Sequence, residues 1–492
     1  MGSCGPQAHN LRKRPNVSFS LSAEKSYRLM SRGVKSIFWP SPAKVPALFG
    51  RSMRPAFNSN TQDEESNMVE ISHPRAEFTA RYFVESSVPI SKAAEVIAGE
   101  QSSGTFLALP GETDALKNRA RARVVKVDSH PPVLEPSLRS AHVERKGPPS
   151  VYYRGEIEIA FPVDNIGPNL PTLLSTVAGN LFELGEVTGL RLLDVDLPPA
   201  YAAQFPGPQF GIGGTRDFAK VYGRPMIGTI IKPSIGLLPE QTAEIVDSLC
   251  AADIDFIKDD ELLADPTYAS FDERLAAVMP VLHRHADRMG RMPMYAINIS
   301  GTIDEMLHRH DAVLRAGGTC VMVCINWVGF AGVEHLRKHA QLPIHGHRNG
   351  WGAFTRCPQL GFSFKAFQKL WRLAGVDHLH VNGIRSKFWE PDTSVIESAR
   401  SCLAPFAGVQ PLMPVFSSGQ WAAQAPDLYA QLGSVDLMHL AGGGIIGHPQ
   451  GIAAGVASMR EGWEAAIEGV GLETFAESRP ALRAALSHFQ SA

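Results

Sequence analysis

Eight short apolar runs, most of them rich in β-branched residues, recur every 20 to 40 residues beyond position 220, and this rhythm constrains the fold more than any other feature: Met226–Ile231, Ile254–Ile257, Met294–Ile297, Cys320–Cys324, Leu342–His345, Asp377–Val381, Leu412–Phe416 and Asp436–Leu440. Helix-like stretches such as Glu240–Ala251, Phe271–Arg284 and Phe364–Leu373 lie between them. Eight buried strands with intervening helices are what a (β/α)8 barrel requires, and residues 219–492 come close to the roughly 250 residues that fold uses. Gly455 to Ser491 reads as helix packed on its outside. Residues 68–218 alternate strand-like runs (Ala76–Glu85, Val151–Phe161) with helix-like ones (Ser91–Glu100, Leu173–Leu184), which predicts a smaller α+β domain of ferredoxin-like type. Pro206, Pro208, Gly211, Gly213 and Gly214 mark its end.

Residues 1–67 have a different texture. From Met1 to Phe57 ten Lys or Arg face a single acid, Glu24, with Ser and Pro throughout and no periodic apolar face. A basic transit segment, a disordered arm, or translation that begins downstream at Met68 each fit; the last is preferred, because Met68 leads directly into the first strand-like run. The whole chain balances 47 basic against 49 acidic side chains, so no overall field draws it to nucleic acid or an anionic membrane, and any anion must be held by a local site. Six scattered cysteines lack CxxC spacing, which argues against a zinc cluster or disulfide framework and makes a reducing cytoplasm the default compartment. No apolar run approaches the ~20 residues of a membrane span.

In such barrels chemistry gathers at the carboxyl ends of the strands. Here those ends carry Lys232-Pro233-Ser234, Lys258-Asp259-Asp260-Glu261, His345-Gly346-His347-Arg348, His380 with Lys387, Ser417-Ser418-Gly419 and Gly442-Gly443-Gly444. One polar strand end is ordinary solvation; six together are not. Period-two alternation puts Lys258 and Asp260 on one face and Asp259 on the other, with Glu261 able to turn back toward the mouth. The bland reading of Lys258 is an ion pair with these acids. The sharper one is an amine, its pKa lowered by burial, that takes up carbon dioxide as a carbamate and joins Asp260 and Glu261 as an oxygen ligand for magnesium, a Lewis acid for enolisation. Gly442, Gly443 and Gly419 would let backbone N–H groups approach a phosphate, with Ser417 adding a donor, and Arg348 could grip a second anion. His448 is expected to cap the following turn.

These stretches resemble the large chain of ribulose-bisphosphate carboxylase, and more closely the RuBisCO-like proteins: GTIIKPSIGL at 228–237, DFIKDDE at 255–261, HGHR at 345–348, HVNGIRSK at 380–387, SSG at 417–419, AGGGIIGHPQG at 441–451, and in the small domain EQSSGTF at 100–106 and AGNLFELG at 178–185. The resemblance implies roles position by position. Lys258 would be the carbamylated lysine and Asp260 and Glu261 the magnesium ligands. Lys232 would stand near the enolising carbon, His347 would contact substrate, and Lys387 would be the mobile-loop lysine. Gly419, Gly442 and Gly443 would cradle one phosphate, while Arg348 and His380 form the other anion site. Glu100, Thr105 and Asn180 would reach a neighbouring subunit's barrel, giving a homodimer with shared sites and leaving higher assembly open.

Departures bear on the reaction. The carboxylases' second lysine is here Ser234, their Thr two residues before the first lysine is Ile230, and the surroundings of Lys387, with Phe388 and Trp389, differ from the carboxylase loop. Carbon fixation is therefore not expected. The RuBisCO-like group includes enzymes of methylthio-sugar phosphates in methionine salvage and enzymes that cleave 3-oxo-isoapionate 4-phosphate in apiose breakdown. Arg348, His380 and Lys387 opposite the glycines argue for a sugar-acid phosphate charged at both ends, and the reading leans to a decarboxylase, with the transcarboxylase/hydrolase, the methylthio-sugar isomerase and a non-catalytic phosphosugar-binding protein as alternatives.

Overall fold

The computed structural model describes residues 75–104 and 111–490. The expectations for residues 1–67, for Met68 and for Thr105 lie outside them. The first described elements are β1 (Glu77–Ser86), β2 (Arg123–Val133), β3 (Tyr152–Pro162) and β4 (Val187–Asp196). They pair antiparallel in the order β4-β1-β3-β2, the ferredoxin-like arrangement. The helix Ile90–Glu100 buries Ile90, Ala93, Ala94, Ile97 and Ala98, the i, i+3, i+4, i+7, i+8 stripe of an amphipathic helix against this sheet.

The barrel strands are β5 (Met226–Ile230), β6 (Phe256–Lys258), β7 (Met294–Asn298), β8 (Cys320–Cys324) and β9 (Ile344–His347). After the excursion β10 (Leu360–Phe362), the barrel resumes with β11 (His378–Asn382), β12 (Met413–Phe416) and β13 (Met438–Leu440), and closes with all strands parallel. β10 leaves the barrel and pairs in parallel with β4, so the small sheet is mixed. Arg191 of β4 secures that junction by donating to the carbonyls of Thr355, Cys357 and Leu360.

Five strands begin one or two residues later than the apolar runs suggest. Acids at their amino ends are the cause in two of them: Asp255 accepts from the Ile227 N–H and pairs with Arg224, and Asp377 accepts from the N–H groups of Phe210, Gly211 and Ile344. The helix Gly211–Ala219 is thereby held beneath the barrel, where Ala219 joins Met226, Phe256, Met294, Met322, Met413 and Met438 in the barrel's own core. The stretch Leu173–Leu184 is not one helix: it ends at Ala178, where Gly179 turns out of helical geometry (ψ −131°) into a position whose Cβ would strike the Ser175 carbonyl, and a 3-10 turn, Asn180–Glu183, follows. The carboxyl-terminal region is helical over Ile452–Glu468, Leu472–Ala476 and Pro480–Phe489. Among the described residues no helix is long and apolar enough to cross a membrane.

Candidate functional site

β6 is only three residues long and ends on Lys258, whose side chain is sealed at 0% exposure. Its Nζ donates to the Asp259 carbonyl at 2.7 Å and lies 3.6 Å from Glu261 Oε2. Asp259 turns to the other face, where it accepts from Tyr295 Oη at 2.5 Å and the Asn298 N–H at 3.0 Å and pairs with the fully buried Arg274 at 3.2 Å. Asp260 faces the site and takes Lys232 Nζ at 2.7 Å. Ser234, which replaces the second lysine, accepts from the same Nζ at 2.7 Å, so the substitution gives Lys232 a second anchor.

Burial lowers the Lys258 pKa against the pull of Glu261 and Asp260, which makes the uncharged amine accessible. Burial works against ionisation of Glu261, but His347 and Lys258 outweigh it and hold its carboxyl low. His347, with Nε2 3.4 Å from Glu261 Oε2, is itself pushed down, by burial first and then by Lys258. Two carboxyl groups beside a buried amine form a hard-oxygen donor set once that amine carries a carboxylate, which fits magnesium.

The cluster opens into a cavity of about 600 Å³ that also takes in Arg348, His380, Lys387, Ser417, Gly419, Gly442 and Gly443. Gly442 and Gly443 start the short helix Gly442–Ile446, whose first N–H groups have no intrahelical acceptor. A Cβ on Gly443 would meet nothing within 4 Å, and one on Gly442 would come no nearer than 3.8 Å to Lys232. Protein packing therefore does not demand glycine there; Gly444, whose Cβ would collide with the Gln420 carbonyl, is the packing glycine. Gly419, at φ +72°, lies with its Cβ position 3.6 Å from the Lys387 backbone nitrogen, so Lys387 stands beside this cradle and not, as the sequence suggests, opposite it.

Three features were not foreseen from the sequence. Arg348 is paired: its Nη2 lies 2.9 Å from Glu390 Oε2, and both side chains are buried. Glu390 follows Lys387 by three residues, and an acid so close to an expected anion site was the available signal. Second, Ser417 hydrogen-bonds His380 Nδ1 at 3.0 Å, while His380 Nε2 meets His345 Nε2 at 2.8 Å, His345 Nδ1 meets His378 Nδ1 at 3.4 Å, and His378 Nε2 meets Thr215 Oγ1 at 2.8 Å. The neighbourhood of strands five and six in any (β/α)8 barrel would have placed these histidines together. Burial lowers His380 and His345 well below the usual range and His378 to about 3, so the chain is uncharged. Third, His310, Asp311 and His339 gather outside the barrel mouth in a metal-like triad. His310 Nε2 accepts the Gln341 N–H, so its Nδ1 carries the proton and donates to Asp311 at 3.0 Å, which leaves no lone pair for a metal there.

The small-domain residues stand apart. Glu100 is exposed and lines a separate cavity of about 970 Å³, and Asn180 is exposed on its 3-10 turn; neither lines the barrel cavity of its own chain. His448 accepts the Gln450 N–H on Nδ1 at 3.1 Å and bonds the Ala481 carbonyl through Nε2, a cap on the following turn.

Comparison with known proteins adds the following. The family model described as ribulose bisphosphate carboxylase large chain, catalytic domain, matches residues 211–489, and that of the N-terminal domain matches residues 74–201. A Xanthobacter autotrophicus protein named 3-oxo-isoapionate-4-phosphate transcarboxylase/hydrolase is 54% identical over 413 residues, covering 84% of this chain and 99% of its own. A Rhizobium etli protein named 3-oxo-isoapionate-4-phosphate decarboxylase is 44% identical, covering 84% and 98%. The crystal structure of a rubisco-like protein from Burkholderia fungorum superposes with a TM-score of 0.80 at 46% identity, covering 84% of this chain and all of that one.

Proposed function

The chain belongs to the ribulose bisphosphate carboxylase large-chain family, and from that membership we propose that it is a transcarboxylase/hydrolase acting on 3-oxo-isoapionate 4-phosphate. The observation that carries the reading is the convergence, in one cavity, of Lys258, Glu261, a Lys232 anchored on Asp260 behind it, and a glycine cradle that packing does not require. The higher identity of the relative named transcarboxylase/hydrolase moves the weight from the decarboxylase, which remains the second reading because two relatives of that name are each 44% identical.

Family membership suggests magnesium and a carbamylated lysine as the cofactors. Carbamylated Lys258 with Asp260 and Glu261 would hold the ion, which when bound supplies Lewis-acid stabilisation of negative charge on a ketone oxygen. The chain's own residues do the rest. The Lys258 ammonium first gives up one proton; the uncharged amine then adds to carbon dioxide and loses a second, so that over the two steps a buried cation becomes an anion. Gly419, Gly442, Gly443 and Lys387 hold the phosphate. Lys232, fixed at 2.7 Å to both Ser234 and Asp260, is an oriented ammonium able to hand a proton to the carbon that loses its bond. Glu100, Thr105 and Asn180 complete a second copy's site in a homodimer.

The test is incubation of the full chain with 3-oxo-isoapionate 4-phosphate, magnesium and bicarbonate, with products followed by 13C NMR. Glycolate and phosphoglycerate support the reading. A ketose phosphate with carbon dioxide selects the decarboxylase, and faster turnover of a methylthio-sugar phosphate overturns both.

A further inference from the structure

We infer that the part of the cavity lined by Arg348, Asn382 and Glu390 is built to receive an uncharged hydroxyl group of the substrate, and that Glu390 makes it so, excluding ligands with a phosphate at each end. The inference deepens the proposed function and rests on it for which end takes the single phosphate.

The sequence places an anion site at Arg348 and His380, but the structure leaves no net positive charge there. The Arg348 guanidinium, in a residue 7% exposed, lies over the rings of Phe364 and Trp351 at 5.0 and 5.8 Å, and its charge is matched by Glu390, also 7% exposed. Glu390 is held in turn by Ser394 Oγ at 2.9 Å on Oε1 and by Asn382 Nδ2 at 3.3 Å on Oε2, the oxygen that meets Arg348. His380 offers no proton either. The Thr215 hydroxyl donates to the Gly211 carbonyl, which can only accept, and this fixes the direction of the whole chain. His378 must donate to Thr215, His345 to His378, His380 to His345, and Ser417 to His380. Ser417 therefore keeps only lone pairs for a ligand and is not the phosphate donor that its sequence position suggests.

Five buried polar atoms on residues that line the cavity have no partner, His347 Nδ1, Asn349 Oδ1, Trp351 Nε1, Arg348 Nη1 and Asn382 Oδ1, and the last two, a donor and an acceptor on residues 7% and 8% exposed, sit against Glu390. Both residues line the cavity, and both touch the same Glu390 oxygen. A group that satisfies them must accept from one and donate to the other, as a hydroxyl does. A phosphate dianion has no proton for Asn382 or Ser417 and meets the Glu390 carboxylate. The opposite pole is different: its glycine turns offer N–H groups, and Lys387 has no carboxylate within ion-pair distance among the described residues.

The experiment is isothermal titration of the full chain, with magnesium and bicarbonate, using erythritol 4-phosphate, its 1-deoxy analogue and erythritol 1,4-bisphosphate. Wild type should bind the 4-phosphate at least tenfold more tightly than either of the others. Glu390→Gln should narrow the monophosphate-over-bisphosphate ratio at least tenfold. The inference is overturned if the bisphosphate binds wild type as tightly as the monophosphate, if the deoxy analogue binds equally well, or if no probe binds. The wild-type comparison decides the matter even if the variant does not fold. Turnover of 3-oxo-isoapionate 4-phosphate in the same preparation separates the two claims: selectivity without turnover removes the reaction and keeps this inference, whereas turnover with bisphosphate preference does the reverse.

Discussion

Replacement of Lys258 by Met should divide activity from stability. At an effective dielectric constant of about 20, an ammonium 3.6 Å from the Glu261 carboxylate is attracted by about 4–5 kcal/mol. Against this stands the cost of keeping a charge at 0% exposure, several kcal/mol after relaxation, while Glu261, whose side chain is 32% exposed, remains partly hydrated when its partner is removed. The lost hydrogen bond to the Asp259 carbonyl adds about 1.5–3 kcal/mol to the debit, and the methionine fills the same volume. The terms nearly cancel, so Lys258→Met should change unfolding free energy by less than about 2 kcal/mol while abolishing magnesium-dependent turnover. Urea titration followed by tryptophan fluorescence, without magnesium or bicarbonate, measures the first quantity. Adding both at about a hundred times their apparent dissociation constant should stabilise wild type by about 2.7 kcal/mol and the variant not at all. The sign with pH follows from the lowered amine pKa: the unfolded chain binds this proton more tightly, so the lysine's penalty fades as pH rises toward 10.5, and the methionine variant lacks that dependence. A variant destabilised by more than about 4 kcal/mol would make the ammonium a structural counter-ion, and retained bicarbonate-dependent stabilisation would place the carbamate elsewhere; either result refutes the reasoning.

Three further outcomes are expected. Gly443→Ala, where a Cβ meets nothing within 4 Å, should leave the urea midpoint unchanged and weaken binding of a sugar phosphate at least tenfold by titration calorimetry. Asp259→Asn leaves Arg274 buried without its anion and should cost about 3–5 kcal/mol, more than the about 1.5–3 kcal/mol of Tyr295→Phe, which removes one hydrogen bond to the same carboxylate; a reversed order in urea titrations contradicts the assignment. Glu85 is buried yet held below its ordinary pKa: burial opposes its ionisation, but Ser137, Arg154 and Thr188 outweigh it. Its contribution is therefore present above pH 4.5 and lost as pH falls through the lower folded value, so the roughly 1.5–3 kcal/mol separating wild type from Glu85→Gln at pH 7 should shrink in acid.

The barrel was legible because its strands are buried on both faces and read as apolar runs whose spacing alone implies closure. The alternation at 258–261 was legible for a related reason: a strand one residue out of register would aim Asp259, not Lys258 and Asp260, at the cavity, and the Tyr295–Arg274 pocket around Asp259 would have no anion. β10 was not legible. Three residues, Leu360–Phe362, carry no periodic signal, and their partner β4 lies more than 160 residues earlier in the chain.

Charge was the least legible property of the site, and the reason is geometric. A motif fixes where a cation stands but not what stands against it, because the neutralising group comes from a loop with no periodicity of its own. Arg348 reads as a free cation at a strand end; the acid that matches it is 42 residues away, beyond two further strands, and the parallel pairing of β9 with β11 brings the two to 2.9 Å. His380 reads as a cation for the same reason, and loses that character to a hydrogen-bond chain that begins at Thr215, on a helix before the first barrel strand. Positions inherited from a family therefore carry over residue by residue, whereas the net charge of a subsite must be counted afresh in each member, and that count separates a site for one phosphate from a site for two.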